Sequence, residues 1–343
     1  MSDQLPAQTA QNQKNPGNRS ALWALLGVFI GFSLPVLTCM GFFFLFIVGL
    51  GAAGSGPSAA GPAVPIHVSG PLTGPAIAIV EVSGPILSGR APSFSEFSIA
   101  ASEDILDIIQ WSVVDPDVKA ILLVVNSPGG SVVASDVIYD ELKNVQKPVV
   151  VLFGETAASG GYYISMAGDY IVANPNSLVG SIGVISTFPN AQELLDKVGV
   201  EMNVIISGEA KDFGSLYRDM TPEEMEYWQG LIDETYAGFV EIVAEGREMS
   251  EEEVRALADG RVYTGRKALD LGLVDALGYE QDAINKAATL GLISGEPRVI
   301  RYSAQVGFLS FLGGVANNLP QGSVPYNFLE RLLSPKMEFM WVP

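Results

Sequence analysis

Residues 148–163 read PVVVLFGETAASGGYY, and the fold is legible in the order of their parts. VVVLF is apolar at every position, rich in β-branched residues and too short for a helix, the pattern of a strand covered on both faces of a sheet. ETAASGG then makes a turn of small residues, and a helix is expected from about Gly160. The same succession stands earlier in the chain: the apolar run AILLVVNS (120–127), the turn NSPGGS (126–131) and a helix over SVVASDVIYDELKNV (131–145). Working outward, AIAIVEVSG (76–84) and YIVANP (170–175) read as further strands, and SEDILDIIQWSVV (102–114) as a helix. Strand, tight turn and helix recur, which predicts an α/β domain with a sheet covered on both faces.

Two glycine-bearing turns therefore stand at the ends of neighbouring strands, the place where such sheets build their sites. Gly129 and Gly130 can take backbone angles closed to other residues and turn their amides toward a ligand; the plainer alternative is a strand-to-helix turn with Ser131 as N-cap. Ser159 is a candidate nucleophile, since the helix dipole and the Gly160 amide would face negative charge developing on a bound carbonyl. Its small neighbours leave the hydroxyl accessible. The alternative is a plain N-cap serine, and the surroundings are not a GxSxG elbow, because Ala157 stands at the first glycine's position.

Composition narrows the chemistry. A chain of 343 residues, 48% of them hydrophobic, has enough apolar surface for a sizeable core. It has one histidine, His67, and one cysteine, Cys39. His67 lies in GAAGSGPSAAGPAVPIHVSGPLTGP (51–75), which reads as a flexible linker, and Cys39 lies inside a long apolar run. A histidine-based triad, a thiol nucleophile and a zinc cluster thus have no suitable residues, and neither a metal nor an organic cofactor is expected. The base left to a serine is a lysine. Lys143, Lys147, Lys197, Lys267 and Lys286 read as solvated surface, whereas Lys211 follows EMNVIIS (201–207), a candidate strand, in the glycine-flanked turn SGEAKDFGS. To act as a base near pH 7 its pKa must fall by roughly 3 from about 10.4, a shift within the reach of burial. The net charge of -19 disfavours a nucleic-acid partner.

Residues 21–50 carry no charged side chain and exceed the roughly 20 apolar residues that span a bilayer. They predict a single-pass transmembrane helix, with a cleaved signal peptide as the alternative. Lys14 and Arg19 make residues 1–20 a mildly basic cytoplasmic tail, which leaves everything after the span outside the cell (inner) membrane. Residues 221–258 read as two glutamate-rich helices, the first amphipathic and suited to core or subunit contact.

Four motifs in order, SPGGS, TAASGGYYISMAGDYIVANPNSLVGSIGVIS, SGEAKD and DGRVYTGRKALDLGLVDALG, resemble the signal peptide peptidase A family, membrane-bound Ser-Lys proteases of the ClpP/crotonase superfamily. The resemblance covers about residues 75–295. It implies a spiral of ββα units forming a protease domain over 76–295; residues 296–343, past the resemblance, read as a C-terminal extension, either a loose tail or a subunit-docking arm. It implies Ser159 as nucleophile, Lys211 as general base and Ser181 as the hydroxyl that holds the lysine. The oxyanion hole would use the PGG turn, Gly129 with Gly130, and Gly160. It further implies a complete dyad in each chain, subunits joined in a ring or dome around an enclosed cavity, and peptide substrates, notably remnant signal peptides. Alternatives of neighbouring class are a stomatin-linked membrane protease, a crotonase-like scaffold without activity, and an acyl-CoA enzyme, the last disfavoured by the anchor and the Ser-Lys pair.

Overall fold

The structure, a computed structural model, describes residues 63–91, 98–304 and 337–340. Residues 60–305 and 320–343 form one compact unit; the second unit, 1–59 and 306–319, lies outside the described residues, and with it the expected tail and the anchor at 21–50. Among the described residues no helix is long and apolar enough to cross a membrane.

The unit is a mixed α/β structure. Its principal sheet runs β1 (Ala63–Ser69), β13 (Arg298–Ala304), β2 (Ala76–Ser83), β5 (Val118–Ser127), β7 (Val149–Ala158), β8 (Tyr170–Ala173) and β12 (Ala276–Leu277). The pairings from β13 through β12 are parallel, and β1 lies antiparallel on β13. β7 is long enough to hold two partners, β8 along its first half and β9 (Leu178–Gly180) along its second, and β11 (Val262–Thr264) pairs antiparallel with β9.

Alternate residues of these strands feed two apolar layers, as expected of runs apolar at every position. On one face Val80, Val82, Ile121, Leu123, Val125, Val151 and Phe153 pack against α1 (Ser102–Val114), α2 (Val132–Lys143), α3 (Gly160–Ser165) and α5 (Pro222–Arg247). On the other, Ile77, Ile79, Leu122, Val150 and Leu152 pack against Ala283, Ile284, Ala287 and Ala288 of α8 (Glu280–Leu290), whose small side chains let the helix lie close. Each fully buried Val, Leu or Ile contributes about 1.5–3 kcal/mol, so this double layer holds β5 and β7 rigid. The remaining helices are α4 (Gln192–Val198), α6 (Glu251–Leu257) and α7 (Gly265–Asp270).

A smaller sheet orders β10 (Ile185–Ser186), β14 (Met337–Met340), β6 (Gly129–Ser131), β3 (Ile86–Leu87) and β4 (Ala100–Ala101).

Three segments differ from the sequence reading. Within the stretch read as linker, residues 63–69 form β1; AVPIHVS alternates well enough to pair with β13, and Pro65 is tolerated because β1 is an edge strand. The fold also extends past 295, since β13 sits inside the principal sheet and β14 inside the smaller one. EMNVIIS makes no strand: residues 201–206 carry no regular structure and are all exposed. An apolar alternation becomes a strand only when a neighbour takes up its backbone groups, and among the described residues no strand pairs with it.

Candidate active site

The site grows from the register of β7 on β9, which pairs Thr156 with Leu178, Ala157 with Val179 and Ala158 with Gly180. Ser159 and Ser181 each follow one member of the last pair, and both leave the strands with positive φ, 51° and 49°. The Ser159 N–H donates to Gly180 O at 2.7 Å, and Ser159 O accepts from Tyr163 N at 2.8 Å, which starts α3. Ser159 is thus the N-cap of α3 by backbone, but its hydroxyl caps nothing: Oγ is buried and has no hydrogen-bond partner. An unpaired buried hydroxyl costs about 1–3 kcal/mol, and a non-glycine residue in such a backbone region a similar amount.

Three glycines close around that turn. A β-carbon at Gly129 would stand 2.0 Å from Phe339 O and 2.6 Å from Gly160 N; one at Gly130 would stand 2.0 Å from Ile86 O. One at Gly160 would stand 2.5 Å from Ser135 Oγ and 3.2 Å from both Gly129 Cα and Gly130 N. Backbone packs on backbone here, and no side chain fits. The glycine amides are not equivalent, however. The Gly129 N–H donates to Ser127 Oγ at 3.1 Å, and that hydroxyl donates to Gly84 O at 2.7 Å. Gly160, at the first position of α3, has an N–H that no intrahelical acceptor can reach. Ser131 caps α2, accepting from Ala134 N at 3.3 Å.

Lys211 lies in a 3₁₀ turn, Glu209–Asp212, and is exposed, so within this chain it is not hydrogen-bonded to Ser159. Ser181 is buried, and its N–H donates to Arg261 O at 2.8 Å. His67 lies on β1, four strand spacings from β7 and hence roughly 19 Å away at ordinary strand spacing, with Nε2 3.0 Å from Gly70 O. Among the described residues no group of His, Cys, Asp or Glu is placed to hold a metal ion.

Sequence reading overlooked the supports of the turn. Tyr162 donates to Leu273 O at 2.8 Å and Tyr163 to Asp136 Oδ1 at 2.7 Å, so both aromatics after the glycines fasten α3; burial pushes both phenols well above their usual range. It overlooked β14 as well. This strand runs antiparallel to β6 on one side and to β10 on the other, between the PGG turn and the strand that follows Ser181. Phe339 is fully buried, stacked on Tyr163 at 4.9 Å and set against Phe239 at 4.7 Å. The doubled tyrosine was a visible signal; a short strand far down the chain carried none. A cavity of about 670 Å³ opens beside Gly154–Thr156 and the start of α8, but neither Ser159, Ser181 nor Lys211 lines it, and the serine turn remains the better candidate on chemical grounds.

Residues 141–293 match the model of peptidase family S49, and residues 99–179 that of Clp protease. A candidate protease of Synechocystis sp. is 44% identical over 216 residues, 62% of this chain and 74% of that protein. Protease 4 of Haemophilus influenzae is 39% identical over 217 residues, 62% of this chain, and the chloroplastic serine protease SPPA of Arabidopsis thaliana 34% identical over 211 residues, 61% of this chain. The chain spans about a third of the length of these last two, 34% and 31%.

Proposed function

Because this chain belongs to peptidase family S49 and is a serine peptidase, we propose that it is a membrane-anchored endopeptidase with Ser159 as nucleophile and Lys211 as general base. The observation that carries the reading is the Ser159 hydroxyl, buried, unpartnered and set on a strained turn among three glycines at a helix start. Structural serines are not left in that state, because a cap or a carbonyl would relieve them.

In the reaction Ser159 Oγ attacks the scissile carbonyl carbon and its proton passes to Lys211 Nζ. The oxyanion accepts from the Gly160 N–H, and from the Gly129 N–H once that group exchanges Ser127 Oγ for the new charge. Collapse expels the amine, which takes the proton from Lys211. Water, deprotonated by the same lysine, then hydrolyses the acyl-enzyme. Ser181, buried beside the nucleophile's strand end, accepts the role of holding the amine.

For this chemistry Lys211 must be covered. The segment before it exposes Leu194, Val198, Met202, Val204 and Ile205, the last 98% exposed, an apolar surface of the kind that marks a protein interface. We infer that another copy of the chain closes over it, excluding water from the lysine and enclosing the sites. With residues 21–50 as anchor, the domain faces apolar, unfolded peptides at the outer side of the inner membrane, remnant signal peptides among them.

The test is peptide hydrolysis by Ser159→Ala and Lys211→Ala with synthetic signal peptides and folded proteins as substrates. Both variants are expected to be inactive, and the wild type to cut the peptides alone; equal cleavage of folded proteins refutes the substrate class. A scaffold without activity is the second reading, favoured by a Ser159 hydroxyl with no hydrogen-bond partner among the described residues. Absence of phosphonofluoridate labelling of wild type at pH 8 would select it.

A further inference from the structure

Every residue from 196 to 211 is exposed, and from Asp212 to Leu216 none is. Lys211 is therefore the last residue of a solvent-facing stretch, and whatever holds Asp212 holds the lysine's backbone. That anchor is Arg218. Its Nε donates to Asp212 Oδ2 at 2.9 Å and its Nη2 to Asp212 O at 3.2 Å. The rest of the guanidinium grips the carboxylate of Glu224, Nη1 on Oε2 at 2.9 Å and Nη2 on Oε1, while Nη1 also reaches Asp219 O at 3.0 Å. Glu224 is itself immovable: it is 1% exposed and forms the capping box of α5, accepting from Thr221 N at 2.8 Å while its own N–H donates to Thr221 Oγ1 at 3.3 Å. One planar cation thus ties the lysine turn to the first turn of the longest helix described, in a fork geometry that lysine cannot reproduce.

Arg218 also holds the carboxyls of Asp212 and Glu224 below their ordinary range, because its hydrogen bonds favour their ionised form.

We propose that Arg218 is a positioning residue for the reaction, fixing the turn of Lys211 on the start of α5. This rests on Lys211 being the base, and the experiment separates the two. In full-length protein, kcat and KM on a signal peptide are measured for Lys211→Ala, Arg218→Ala, Arg218→Lys, the pair Arg218→Ala with Glu224→Gln, and that pair with Asp212→Asn added. The pair guards against misfolding caused by an orphaned buried charge. Arg218→Ala, alone or paired, is expected to lower kcat about tenfold with KM within about twofold, the split expected of a displaced base with substrate binding intact. Adding Asp212→Asn does not return kcat, because the tether stays cut, and Arg218→Lys returns part of it. An inactive Lys211→Ala beside a paired variant of unchanged kcat overturns the positioning role alone. An active Lys211→Ala overturns the base assignment and this inference with it.

Discussion

At the scale of single residues, the Ser159 turn balances strain against chemistry. Glycine at 159 relieves a φ of 51°, worth about 1–3 kcal/mol, but loses about 0.4–1 kcal/mol through the freer unfolded chain. Ser159→Gly is therefore expected to be about 1 kcal/mol more stable than Ser159→Ala, read from chemical denaturation midpoints, with both inactive. A glycine variant no more stable than the alanine one would mean that the backbone is not strained. Gly129→Ala acts in the opposite sense, since its methyl must displace Phe339 O from 2.0 Å; a loss of about 2 kcal/mol or more is expected in the same measurement.

At the scale of elements, the start of α5 and the seat of β14 carry the load. Arg218 holds the Glu224 carboxyl below its ordinary pKa of about 4.3. A depressed carboxyl contributes stability that is complete above the unfolded value and is lost as pH falls through the folded one. The difference in Tm between wild type and Glu224→Gln is thus expected to be constant above about pH 5 and to shrink steadily below about pH 4. A difference that grows toward acid would reverse the assigned sign. β14 is short, and Phe339 is its buried side chain. Phe339→Ala removes the ring stacked on Tyr163 and Phe239 and is expected to cost about 3–5 kcal/mol where the strand stays seated, less where it detaches.

At the scale of the whole molecule, the apolar surface before Lys211 and the unpartnered serine hydroxyl belong to one question, because a lone subunit leaves one wet and the other without a base. Full-length protein in detergent is expected to scatter light as an oligomer. Ile205→Asp places a charge at the most exposed apolar position of the segment, and is expected to yield smaller particles whose peptide hydrolysis falls at least tenfold. Monomers of full activity would show that Lys211 needs no neighbour to serve as a base.

Sequence by itself determined what depends on local pattern. AILLVV and VVVLF could only be strands buried on both faces, SEDILDIIQWSVV became α1 at the boundaries its pattern marked, and the two glycine turns were readable where those strands end. That the chain offers a single histidine and a single cysteine was legible from composition. Tertiary structure alone decided which turns meet, because that depends on the parallel register of β7 on β5 and β9, and register is set by contacts between residues distant in the chain. It decided too that AVPIHVS pairs and EMNVIIS does not, since a strand exists only where a neighbour accepts its backbone hydrogen bonds. The fork of Arg218 between Asp212 and Glu224, and the seat of Phe339 beside the PGG turn, belong to the same class: each joins groups whose proximity no local pattern records.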